Sequence, residues 1–337
     1  MRLSCLGEFG LIDQIRKSFT CSSPAIVIGI GDDAAVMKMA ASSVLLATTD
    51  MLIEHVHFDL SFTDFTSLGW KSAAVNLSDI AAMGGKPRFC LSSLAIPPGI
   101  SLEAVKKFYR GFSSLLRIHD TMLVGGDTCS STSDFVVSVT ILGETPTDKV
   151  LARSGAKRGD GIFITGTLGD SGAGLEILKS GRRVRGADAR NLIGRHIRPV
   201  PRIEWGRQLA LAKCASSMID ISDGLSSDLS HLCDASGVGA VLFSDKIPYS
   251  KSLLKFATRL ENTPLHYALS GGEDYELLFT VPAARMKTLE ALKIPATEIG
   301  MITKGNGLLL VNTSGKKTKL KLTGYNHFKG SVDRKKC

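Results

Sequence analysis

Residues 26–50 read IVIGIGDDAAVMKMAASSVLLATTD, and the spacing inside this stretch decides what kind of sheet the chain builds. Three apolar runs, 25–30, 35–39 and 44–48, are joined through Gly31-Asp32-Asp33 and then through Ala40-Ala41-Ser42-Ser43. Connections that short predict neighbouring antiparallel strands. The stretch also spells G-x-G-x-x-A after a strand, with Asp50 lying 19 residues beyond Gly31, the spacing of a dinucleotide-binding fingerprint. Two features reject that reading. Gly31 to Val44 is too short for a strand-helix-strand crossover. Two aspartates also stand where a pyrophosphate needs bare amides at a helix N-terminus.

Working outward, GEFGLIDQIRKSF before this stretch has the pattern of a short amphipathic helix. Residues 66–83 predict a helix stopped by Gly84-Gly85, followed by a strand at 89–95. Apolar residues at 105, 108, 112, 115 and 116 predict a helix over 103–119, with strands at 122–124 and 135–142 closing the unit. A second unit begins near Leu151. It reads as strands at 161–165, 217–221, 239–243 and 275–281 and helices at 173–178, 203–214, 226–235 and 284–292. The polar, basic run 181–189 is expected to be a loop, and the chain from Gly305 a short β-like tail.

A chain of 337 residues is too long for one ordinary core. Its 44% hydrophobic and 22% charged composition is that of a folded protein rather than a disordered or disulfide-stapled one. The seven cysteines (5, 21, 90, 129, 214, 233 and 337) never form CxxC, which argues against an oxidised framework or a zinc site. The start lacks an apolar signal core and no run of 18 apolar residues occurs, so the expected setting is the cytoplasm, with no membrane partner. The net charge of +9 comes largely from scattered residues and from Lys316, Lys317, Lys319 and Lys321. Without an aromatic-basic pattern or a known module, nucleic acid is not an expected partner.

The chemical signal is positional. Apolar runs end repeatedly in carboxylates: Asp32 and Asp33, Asp50, Asp127, then Asp220 and Asp223, with Asp79 in the helical segment AVNLSD. Strand ends gather along one rim of a sheet, so these groups can meet although they are far apart in sequence. Crowded carboxylates repel one another unless a cation neutralises them. All-oxygen ligation suits hard cations, and magnesium is the one that shares phosphate oxygens. An acidic rim inside a basic protein therefore points to metal ions holding a polyphosphate. Any one of these aspartates, alone, is equally a turn former or helix cap. There is no Walker P-loop and no protein-kinase signature. Candidate phosphate cradles are Gly125-Gly126-Asp127, the turn 165–172 and 270–274, which also read as ordinary tight turns.

Taken in order, GEFGLID, GIGDDA, TTD followed by VHF, VNLSDIAAMGG, GGDT, RSGAKRGD, TGTLGDS, RHIRP, DISDGL, SGGEDYEL and GYNHF resemble the thiamine-monophosphate kinases over residues 7–328. These belong to the ATP-binding superfamily of aminoimidazole ribonucleotide synthetase. GDD, VNLSD and GGD are shared across that superfamily, whereas TTD-x6-HF, DISDGL and GGEDYEL are specific. The resemblance implies a two-domain α/β (α+β) fold like that of aminoimidazole ribonucleotide synthetase, each domain a mixed sheet with packed helices. It further implies an N-terminal domain (1–144) that binds ATP and metal and forms a homodimer, a C-terminal domain (145–304), and a tail (305–337) reaching the substrate pocket. The implied reaction transfers the γ-phosphate of ATP directly to thiamine monophosphate, with several Mg2+ ions. By similarity, Asp33, Thr48, Thr49, Asp50, Asp79, Asp127, Asp220 and Asp223 would ligate magnesium. Tyr109, Gly126, Asp127, Arg153 and Ser222 would contact ATP, and His57, Glu273 and Tyr325 the thiamine monophosphate. No residue is expected to form a covalent intermediate.

The family usually has Gly two residues before His57, where this chain has His55. The alternatives for single side chains are ordinary: His57 as a core histidine, Tyr109 and Tyr325 as packing rings, Arg153 as a surface charge. For the whole chain they are another ATP-using enzyme of the superfamily, a nucleotide sensor without turnover, or a basic nucleic-acid binder.

Overall fold

The computed structural model describes residues 26–28, 32–33, 35–38, 42–181 and 186–324. The expected N-terminal helix, residues 182–185 of the basic run, and residues 325–328 of GYNHF, Tyr325 among them, lie outside them. The first three strands, β1 (Ile26–Ile28), β2 (Ala35–Lys38) and β3 (Ser43–Ile53), form the antiparallel meander expected from the short connections. That arrangement leaves no room for a dinucleotide crossover. The third strand is longer than expected. It continues through Thr48, Thr49 and Asp50 to Ile53, because its partner β6 (Val136–Pro146) pairs with it along its full length. Asp50 therefore stands inside a strand, not at its end.

The next helix, α1 (Phe65–Ala82), starts at Asp64, whose carboxylate accepts from the Thr66 and Ser67 amides at 2.9 and 3.0 Å. It stops at Met83 ahead of Gly84, which takes φ +69°. After β4 (Lys86–Ile96) and α2 (Leu102–Ile118) come β5 (Met122–Ser130) and β6 (Val136–Pro146). The sheet order is β1-β2-β3-β6-β4-β5, with only β4 and β5 parallel. Asp127 also falls within its strand rather than at its end. Along β3, Val44, Leu46, Thr48 and Leu52 alternate inward, the period of a strand with one covered face.

The second unit comprises β7 (Gly161–Thr165), α3 (Asp170–Lys179), α4 (Ala187–Ile197), α5 (Ile203–Leu211), β8 (Ser217–Asp220), α6 (Leu225–Ser236) and β9 (Gly239–Phe243). It continues with α7 (Lys251–Phe256), α8 (Pro264–Ser270), β10 (Leu277–Val281), α9 (Met286–Leu292), β11 (Ala296–Thr303), β12 (Leu308–Val311) and β13 (Lys317–Lys319). These strands form a seven-stranded sheet ordered β13-β12-β9-β11-β7-β10-β8, mixed through the parallel pair β9–β12. The sequence reading left out α7 and α8, and it changes in two further places. Residues 187–189 are helical rather than loop, since Ala189, Leu192 and His196 give α4 a buried face. Strand β11, flanked by β7 and β9, was not read from the sequence; a bulge between Glu298 and Gly300 breaks its period-2 pattern.

One apolar core joins the sheets. It runs from Leu46, Leu77 and Ile141 in the first unit to Met218, Leu277 and Phe279 in the second. At its centre α1 packs on α2 so closely that a Cβ at Gly69 would stand 1.9 Å from the Phe108 carbonyl oxygen, and one at Gly111 1.8 Å from that of Thr66. Only glycine admits such an approach of two helix backbones. Most of α1 is buried as a result, including Lys71, Asn76 and Ser78.

Candidate active site

The buried polar side chains of α1 are fastened to both sheets. Asn76 Oδ1 accepts from the Asp50 amide at 3.1 Å, which ties the helix to the middle of β3. One turn along, Asp79 Oδ2 accepts from the Thr48 hydroxyl at 2.5 Å. The intervening Ser78 hydroxyl donates to Asp220 Oδ2 at 2.5 Å, on the last residue of β8. Thus VNLSD brings the second sheet's aspartate against the first sheet's acidic strand.

Asp33, Asp79 and Asp220 meet there, each with a ligand atom within 4.8 Å of the others. Arg153 lies beside them. Its guanidinium donates to Asp33 Oδ1, its Nε is 3.7 Å from Asp32 Oδ1, and its amide donates to Asp32 Oδ2 at 3.3 Å. The other oxygen of Asp33 is buried without a hydrogen-bond partner.

The electrostatics follow from this crowding. Burial, then the charge of Asp33, pushes Asp220 up to about 8 and Asp50 up to about 6. Burial, then Asp33, also pushes Asp32 up to about 6. Asp79 is raised well above its ordinary value by burial and by Asp50, Asp220 and Asp33. Burial and the neighbouring Asp223 and Asp220 do the same to Asp228. Burial works against the charge of Arg153, but Asp33 and Asp32 outweigh it and hold the guanidinium protonated. One arginine is too little positive charge for this many carboxylates. An all-oxygen donor set with an orphaned carboxylate oxygen fits a hard divalent cation such as Mg2+.

The other residues expected to meet metal or ATP fall into three places. Thr49 points to the opposite face of β3 from Thr48, and its hydroxyl donates to the Val139 carbonyl at 3.0 Å. Its side chain is therefore not brought to the carboxylates. Tyr109, Gly126 and Asp127 line a cavity of about 390 Å3 together with Ser92, Leu123, Gly125 and Thr128. A Cβ at Gly126 would lie 1.8 Å from the Ser92 carbonyl oxygen, so this wall requires glycine. Ser222 and Asp223, half-buried after β8, are stitched to the 271–276 loop: the Glu273 amide donates to Ser222 O at 2.7 Å and that of Tyr275 to Ile221 O at 2.9 Å. Asp228 holds the same turn, accepting from the Asp223 amide at 3.2 Å.

His57 and Glu273 come from different units yet approach a common side chain, Lys71. His57 Nδ1 accepts from the Ile53 amide at 3.0 Å, in a turn where His55 adopts φ +64°. That left-handed geometry explains why Gly is usual at this position. Sequence reading missed Lys71, Asn76, Ser78, His196 and Asp228. For those on α1, the available signal was five polar or charged residues (Lys71, Ser72, Asn76, Ser78 and Asp79) within the otherwise apolar stretch 71–79.

The AIR synthase related protein N-terminal domain family matches residues 31–145, and its C-terminal domain family residues 157–311. The chain is 39% identical to thiamine-monophosphate kinase of Aquifex aeolicus, over 97% of this chain and 100% of that one. It is 36% identical to thiamine-monophosphate kinase of Bacillus subtilis, over 96% of this chain and 100% of that one. Among solved structures, that of AaThiL complexed with AMPPCP and TMP superposes with TM-score 0.87 at 39% identity, covering 97% of this chain and 99% of that chain.

Proposed function

The chain belongs to the thiamine-monophosphate kinase family, and on that footing we propose how it uses ATP to phosphorylate thiamine monophosphate to thiamine diphosphate. The observation that carries the mechanism is the meeting of Asp33, Asp79 and Asp220, from three distant segments, beside Arg153. Asp33, Asp79 and Asp220, with Asp50 and the Thr48 hydroxyl next to them, would hold Mg2+ ions. Asp127 and Asp223 would complete the set from the nucleotide cavity and the 222–223 turn. Bound Mg2+ neutralises the phosphates and lets two anions approach.

The protein's own task is then positioning. Tyr109, Gly126 and Asp127 seat the nucleotide, Ser222 and Arg153 face its phosphates, and His57, Glu273 and Tyr325 receive the acceptor. A phosphate monoester has its second pKa at about 6 and is largely ionised at neutral pH, so no strong general base is needed. Transfer is direct and in line, by alignment and electrostatic stabilisation, with no phosphoenzyme.

We place this chemistry in a cytoplasmic homodimer of chains divided at about residues 144 and 304. Among the described residues no helix is long and apolar enough to cross a membrane, and the four described cysteines are free thiols. Met51, Phe89, Leu91 and Met122 are exposed on the first sheet, an apolar surface suited to a second copy.

Purified protein with ATP, Mg2+ and thiamine monophosphate is expected to yield thiamine diphosphate, and Asp50→Asn to lose most turnover while staying folded. Full activity in that variant removes Asp50 from the site. Trapping a phosphoaspartate overturns direct transfer.

A further inference from the structure

Lys71 lies in the middle of α1, is 1% exposed and takes no part in the carboxylate cluster. Its Nζ is 2.7 Å from Glu273 Oε1 and donates to the His57 carbonyl at 3.2 Å. One ammonium thereby joins the two described residues assigned to the acceptor, one from the turn after β3 and one from the loop before β10. The second oxygen of Glu273 lies 3.2 Å from His196 Nδ1, which also meets the Ser171 hydroxyl at 3.1 Å.

A buried ammonium is costly unless it is paired and hydrogen-bonded. Apolar packing gives no reason for one at this point in the helix. Burial opposes ionisation of Glu273, but Lys71, then His196, outweighs it and holds the carboxyl below its usual range. Backbone strain adds to the argument. Glu273 takes φ +55° and Tyr275 φ +50°, the left-handed region that disfavours residues with a Cβ. Such strain persists only where surrounding contacts impose it.

We propose that Lys71 is a positioning residue for thiamine monophosphate: it clamps the Glu273 carboxylate and the His57 turn into a single acceptor pocket. This rests on the reading of Glu273 as an acceptor contact. A carboxylate offers about four acceptor positions. Lys71 and His196 occupy one on each oxygen, and the others are left for N–H donors of the bound acceptor.

The test is steady-state kinetics on full-length Lys71→Met, Glu273→Gln and the double variant, each checked for folding by thermal melting. Lys71→Met is expected to raise KM for thiamine monophosphate tenfold or more, with KM for ATP within about twofold and kcat less affected. Because Lys71 acts through Glu273, the double variant is expected to be no worse than Glu273→Gln alone. It also removes both buried charges, so it supplies the readout if Lys71→Met alone fails to fold. Equal rises in both KM values, or additive losses in the double variant, overturn the proposal. If Glu273→Gln raises the acceptor KM but Lys71→Met does not, the clamp fails while the pocket stands. If Glu273→Gln leaves it unchanged, the pocket assignment falls and the clamp with it.

Discussion

The Ser78 hydroxyl lies 2.5 Å from Asp220 Oδ2, so the helix behind the first sheet directly holds the acid that ends β8 in the second. This contact is part of what brings Asp220 to Asp33 and Asp79. Ser78→Ala leaves a buried carboxylate without a donor, at about 1–3 kcal/mol. The expected result is a lowered melting temperature and a several-fold higher Mg2+ concentration for half-maximal activity. Unchanged Mg2+ dependence would detach Ser78 from the metal site.

The raised carboxyls make a prediction about pH. Asp32 and Asp50 at about 6 and Asp220 at about 8 each bind a proton more tightly in the folded protein than the ordinary 3.8 allows. Their contribution is therefore fully present below pH 4 and is lost as pH rises through 6 and then 8. Metal-stripped protein should gain more thermal stability from Mg2+ at pH 8.5 than at pH 5, since the ion takes over from the protons. Melting curves with chelator and with Mg2+ at the two pH values decide it, and an equal or larger gain at pH 5 contradicts the cluster.

Glu276, 0% exposed, is held by Arg195 at 2.7 Å, by Arg202 Nε at 2.8 Å and by the Thr165 hydroxyl at 2.7 Å. Removing one partner of a buried ion pair costs about 3–5 kcal/mol. Glu276→Gln should lower the denaturant midpoint accordingly while leaving KM for thiamine monophosphate within about threefold in the protein that folds. A loss of affinity without a loss of stability would give Glu276 a role at the substrate instead.

His55 at φ +64° is strained where glycine is free, though it also faces Asp59 at 3.5 Å. His55→Gly trades that exposed contact for relaxed backbone and is expected to stabilise by roughly 0.5–1 kcal/mol. Chemical denaturation measures it; destabilisation would show that the imidazole contact outweighs the backbone.

Most of the scaffold was legible because its signals are local. The short connections between residues 26 and 50 announced the meander, and Gly84-Gly85 announced the end of α1. Strand ends were less legible, since the length of β3 depends on β6, nearly a hundred residues away. That is why Asp50 was expected at a strand end and is found inside a strand; Asp127 is likewise inside β5, whose length follows its pairing with β4. The acids themselves were readable as a set, but their supports were not. Asn76, Ser78 and Lys71 acquire meaning only when the partners of α1 are known, and Glu273's clamp crosses from one unit to the other. The bulged β11 and the helix hidden in a basic run were lost for the same reason: burial, not composition, makes them regular.

The tight seat of α1, with Gly69 and Gly111 letting two backbones touch, has an evolutionary corollary. Scaffold and chemistry are inherited here as one object, because the residues that aim the acids ride on the helix that the glycines hold. Drift that widens this seam by an ångström leaves a recognisable fold but misaligned ligands. Lineages that cease to need the reaction should therefore lose these glycines early, before the sheets themselves decay.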